Sequence, residues 1–273
     1  MSDRAYLADR LNQALTSGDA SALEDHMLAN SHLPGPRGNL ELLDAFANAV
    51  GDVLNTPNPP LPALVALLER WAAYPAPVTE PGVMLPCAAA LARGQVAASV
   101  PGQWPEQLIG LERAAQDQRW RVRELAAAGL QRMLRADWER TCRALLDWAR
   151  SPNPLIVRAA VAGVAEPPLL KRLDHADQAL DVQQRAVESL QAVPVGERRS
   201  EPVRTLRQAL GYTLSVIVVG SPVAGFDLLM HMARSDDADL RWVVQENLKK
   251  GRLRPWSADV ARVQAELHAT STV

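Results

Sequence analysis

The chain has 273 residues, 48% of them apolar and 22% charged, with a formal net charge of −2. Those proportions suit a globular protein and speak against a general nucleic-acid binder, whose domain is usually basic. The longest apolar run, near residues 214–219, is too short to cross a membrane. Aromatic residues make up only 4% and Phe occurs twice. The expected core is therefore Ala, Leu and Val between closely packed helices, and with period-two β-branched runs nearly absent almost no sheet is expected.

Taken in order, residues 3–16 space Leu7, Leu11 and Leu15 by four, as one face of a helix does. A second helix is expected over 21–29. The turn-rich run Leu33-Pro34-Gly35-Pro36-Arg37-Gly38-Asn39 follows, and Asn39 is placed to cap the next helix. Helices are then expected over 61–74 and 84–98, each after a Pro-rich break. Residues 1–100 form the less regular part, and a clearer repeat runs over 104–254. There the spacing predicts helices at 105–116, 118–134 and 137–150, one that ends before Pro167, a pair within 169–192, a long helix at 203–219, and helices at 222–234 and 239–250. A final amphipathic helix at 257–268 caps the end. None of the breaks is long or polar enough for a flexible linker, so one continuous domain over 1–273 is expected.

Two stretches are copies of each other. Asp117-Gln118-Arg119-Trp120-Arg121-Val122-Arg123-Glu124 and Asp239-Leu240-Arg241-Trp242-Val243-Val244-Gln245-Glu246 both read D-x-R-W-x-V-x-E. Asp117 and Asp239 are expected to cap helices, and Gly251 to end the second one. Val122, Ala126, Gly129, Leu130 and Met133 then form one small-residue face. Trp120 and Trp242 are expected to pack on a neighbouring helix. A Val-Arg pair recurs 35 residues later at Val157-Arg158.

Asp117, Val122, Arg123 and Ala126, with the weaker copies around Val157-Arg158 and Arg185-Ala186-Val187, resemble the second helix of a HEAT repeat. The resemblance implies an all-α fold, a right-handed α-solenoid of stacked antiparallel helix pairs. It also implies a ladder of Asp and Arg between adjacent repeats, interrupted where Gln245 replaces the Arg.

No phosphate-binding, dinucleotide-binding, nucleophile-elbow or zinc-protease signature is present. His26, His32, His175, His231 and His268 have no ligand spacing, so neither metal nor cofactor is expected. Cys87 and Cys142 stand alone, as buried thiols of a cytoplasmic protein do. Charge is uneven: residues 1–100 carry a net −5 and residues 101–172 a net +4. The residues expected to touch a ligand or DNA are Arg119, Trp120, Arg123, Arg158, Arg241, Trp242, Lys249 and Lys250. The first expectation is a non-catalytic scaffold that holds a protein or peptide partner on a concave surface. The alternative is a DNA-binding protein. Over 104–254 the chain is similar in rhythm to HEAT-like glycosylases that remove alkylated bases, which set a carboxylate beside an aromatic residue. Asp117, Glu124, Asp239 and Glu246 stand near a Trp in that way, but no motif carries a catalytic residue across.

Overall fold

A computed structural model describes residues 3–269. Among them are fourteen α-helices and no strand. By contact the chain divides into two compact units, Met1–Asp137 and Trp138–Val273. The first holds α1 (Asp3–Ser17), α2 (Ser21–Ala29), α3 (Leu40–Leu54), α4 (Leu61–Ala72), α5 (Met84–Ser99), α6 (Trp104–Ala115) and α7 (Trp120–Ala136). The second holds α8 (Trp138–Trp148), α9 (Pro154–Val164), α10 (Leu173–Ala192), α11 (Glu201–Gly220), α12 (Pro222–Ala233), α13 (Ala238–Leu248) and α14 (Ser257–Ala269).

Five of the prolines that break the sequence are helix starts. Pro62, Pro105, Pro154, Pro202 and Pro222 all lie in the first turn of α4, α6, α9, α11 and α12. There the missing N–H is no loss and the fixed φ is already helical. Asn39 caps α3 as expected, its side chain accepting from the Leu42 amide at 3.0 Å. Residues 169–192 differ from the expected pair. They form a 3-10 turn, Pro167–Lys171, and then the single 20-residue helix α10. Gly251 also differs: α13 ends at Leu248, and Gly251 opens a further 3-10 turn.

In the first unit α5 is almost wholly buried. Gly38 lies against Met84 and Arg121, Gly51 against Gln95, and Gly94 against Gly129. These pairs advance together, so α3, α5 and α7 run side by side in one direction. Glycine is essential at the α5–α7 crossing, because a Cβ on Gly94 would stand 2.1 Å from the Gly129 carbonyl oxygen. Arg132 of α7 reaches over α5 to Gln95 and to Asn48 and Asp44 of α3. Helix α4 runs the other way, since Ala72 and Ala73 lie in a cavity with Pro86, while Glu69 pairs with Arg93.

The second unit repeats this plan with a different glue. Arg207 meets Asp239, Gly211 meets Trp242 and Ser215 meets Asn247, so α11 and α13 also run in one direction. Ala176 lies on Gly220, and Gln183 bonds Thr213, which sets α10 antiparallel to α11. Two buried amides join the helices. Gln183 donates to the Val161 carbonyl at 3.0 Å and accepts from Thr213 at 2.8 Å. Asn247 accepts from the Ser215 amide at 2.7 Å and donates to the carbonyls of Leu210 and Val243. A buried amide is tolerated only when satisfied in this way.

Candidate functional site

The first D-x-R-W-x-V-x-E copy lies where α7 begins, and its residues are fixed by two loops of the same unit. Asp117, expected to cap α7, instead stands two residues ahead of the capping position, which Arg119 takes. Its Oδ1 accepts from the Arg119 amide and from Arg119 Nε, each at 2.8 Å, and its Oδ2 accepts from Arg119 Nη2 at 2.6 Å. Burial alone would raise the Asp117 carboxyl, but these hydrogen bonds and the guanidinium charge hold it below the usual value. Arg119 also donates to the Tyr74 carbonyl at 2.8 Å. Arg121 donates to the Val78 carbonyl at 3.1 Å and to the Gly35 carbonyl at 3.2 Å. Arg123 Nη1 turns back to the carbonyls of Asp117 and Gln118.

These bonds leave Trp120 outside. It is 47% exposed, contrary to the expected packing on a neighbouring helix. The Arg121 guanidinium lies 4.4 Å from its ring centroid. Because that same guanidinium ties loops 31–39 and 74–80 together, the indole is held over their junction by a cation–π contact. Arg37 and Tyr74 are exposed on the same two loops.

The second copy is placed differently. Asp237, not Asp239, caps α13, its Oδ1 accepting from the amides of Asp239 and Leu240. The reason is the preceding Ser235, whose hydroxyl accepts from the Asp237 amide and completes the turn. Ser151 and Asn153 build the same cap at α9. Asp239 therefore sits inside the helix, where Arg198 bonds it at 3.4 Å and Arg207 at 2.5 Å. Trp242 is half-buried against Gly211, with Arg207 4.5 Å from its ring centroid. Arg241 donates to the Leu267 carbonyl at 2.7 Å, and Lys249 pairs with Glu246 at 2.5 Å. Arg158 is buried on α9, and Lys250 leads into the last 3-10 turn.

Arg119, Trp120 and Arg123 are thus together at one helix start. In the second unit Arg158 lies on α9, while Arg241 and Lys249 lie eight residues apart, in α13 and at its end, and bond different partners. The carboxylates beside the Trp residues are engaged too: Asp117 by Arg119, Asp239 by Arg198 and Arg207, and Glu246 by Lys249. Sequence reading missed Asp237 and Arg198, although the Ser-x-Asp spacing before Ala238 was a signal for the former. It also missed Arg93, the lone charge in an Ala-rich run.

Both thiols are buried. Burial pushes each up to about 12, which keeps them protonated and unreactive at neutral pH. Among the described residues no group of three or more His, Cys, Asp or Glu side chains is placed to hold a metal ion. No helix among them is long and apolar enough to cross a membrane.

No family model matches the chain, and no curated protein matches it. Among solved structures, the crystal structure of an engineered protein aligns over 96% of this chain and 98% of that one, at 16% identity and a TM-score of 0.39. A score that low does not carry a fold across.

Proposed function

We propose that each unit is a stack of HEAT-like helix pairs, and that the chain is a non-catalytic module binding a protein or peptide partner at the start of α7. Two features support the repeat reading: neighbouring inner helices run in one direction, and the Ser-x-Asn/Asp cap recurs at α9 and α13. Stacked pairs of this kind offer extended surfaces for partners.

The observation that carries the binding reading is Trp120. An indole 47% exposed, fixed by an arginine that is itself fixed by two loop carbonyls, is a rigid amphipathic anchor. Exposed Trp beside Arg is the composition of interface hot spots. The neighbouring basic groups support a protein partner more than nucleic acid. Arg119, Arg123 and Arg241 spend donors on loop and terminal carbonyls, where a phosphate would have to displace them. The engaged carboxylates likewise give a departing base no free anion.

A photo-crosslinking residue at position 120, with one at exposed position 212 as control, tests this reading in native cells. A discrete protein adduct from position 120 alone is expected. DNA binding that weakens steeply with salt and is lost in Trp120→Ala would replace the protein reading with a nucleic-acid one.

A further inference from the structure

Helix α5 is built mostly of small and apolar residues, and its one charged side chain, Arg93, is 3% exposed. Burying a guanidinium costs several kcal/mol, and an apolar side chain of similar volume is often as stable or more so. Arg93 is nevertheless accommodated deliberately. Gly110 of α6 leaves its space, since a Cβ there would stand 2.4 Å from Arg93 Nη1. Gln107, also buried, accepts from the same Nη1 at 3.2 Å. The countercharge is Glu69 of α4, at 2.9 Å from Nη2, yet its side chain is 52% exposed. A buried cation is therefore closed off by a carboxylate standing at the water's edge.

Two cavities adjoin at this pair, of about 220 and about 370 Å³, and Arg93 and Glu69 line both. The smaller has walls of Ala72, Ala90, Ala114 and Val122. Arg113 lines it as well, and its guanidinium has no ion-pair partner among the described residues. Asp117 also borders it, but that carboxylate is taken by Arg119. The larger cavity adds an apolar wall of Leu61, Pro62 and Val65.

We propose that the cleft between α4 and α6 binds the carboxylate of an organic acid, with Arg93 and Arg113 holding the anion and the apolar wall taking its body. The entering carboxylate exchanges with Glu69, so Arg93 stays paired throughout and no uncompensated charge is buried. A monoanion matches the single charge that Glu69 supplies, and planar carboxylates suit guanidinium geometry. This site is separate from the Trp120 surface and does not depend on it.

Calorimetric titration of the full chain with hexanoate, and with hexanamide as the neutral control, tests the site. Two short peptides of one sequence, ending in a free carboxylate or an amide, distinguish a small acid from a chain terminus as the source. Hexanoate is expected to bind saturably and hexanamide not at all. Glu69→Gln removes the competing anion and tightens hexanoate about tenfold, and Arg93→Met abolishes binding. Should Arg93→Met fail to fold, Arg113→Gln, an exposed change, weakens binding at least about threefold with Tm unchanged. Binding of the free-carboxylate peptide without hexanoate also supports the site, with a chain terminus as its ligand. Acid and amide indistinguishable on the wild type, binding seen only in Glu69→Gln, or binding undiminished in a folded arginine variant would overturn the proposal.

Discussion

Trp120 opens α7 and lies half in water, whereas Trp242 sits in the second turn of α13 and packs on Gly211. The surrounding eight residues share one pattern, yet the helices begin at different points within it. Counted from the cap, the place that Arg158 takes after Asn153 in α9 is taken after Asp237 by Trp242, not by Gln245. A motif matched by residue identity can thus be one helical turn out of structural register. What sets the register is the capping side chain, which fixes where the first free amides are satisfied. The units also differ in how their central helices are held. In the first unit α5 is crossed by backbone-to-backbone contact at Gly94 and Gly129, and in the second α11 is pinned by the amides of Gln183 and Asn247.

The largest effects should come from breaking those two kinds of glue. Asn247→Ala leaves the Ser215 amide and the Leu210 carbonyl without this partner in a buried site, and should cost about 3 kcal/mol. Gly94→Ala forces a methyl group into the Gly129 carbonyl and should cost about as much. Urea denaturation of each variant measures both, and a loss under about 1 kcal/mol for either would contradict the packing described.

The next test concerns the two tryptophans directly. Trp242→Ala should destabilise by about 2–3 kcal/mol, since it removes a half-buried ring and the support for Arg207. Trp120→Ala should change stability by less than about 0.5 kcal/mol while removing partner capture. Equal losses in the two variants would mean that the copies do share one role.

A smaller effect is expected at the cap itself. Asp237→Ala should cost about 1–2 kcal/mol, because it removes both the α13 cap and the ion pair with Arg198. Comparison with Asp239→Ala, which keeps the cap, separates the two parts by thermal melts.

The smallest concerns acid. The Asp117 carboxyl is held below its ordinary 3.8 in the folded chain. Its contribution is therefore fully present above that value and is lost as pH falls further. Tm measured from pH 6 downward should fall less steeply in Asp117→Asn than in the wild type below about pH 4.

The sequence alone was enough for the helices and most of their limits. Apolar spacing reports which side of a helix is buried, and proline and the Asn39 cap report where helices begin, because both act within a few residues. The small residues of α5 and α7 likewise announced close packing. The places of Trp120, Arg93 and Asp239 were decided only by tertiary structure. Trp120 is held, exposed, against Arg121, whose guanidinium is fixed by the carbonyls of Gly35 and Val78, 86 and 43 residues distant in the chain. Arg93 is buried because α6 presents a glycine where its guanidinium lies. Asp239 is a partner for arginines and not a cap because Ser235 and Asp237 start the helix before it. Local rules fix which segments are helical, and charged or aromatic side chains then settle according to what distant segments bring to them.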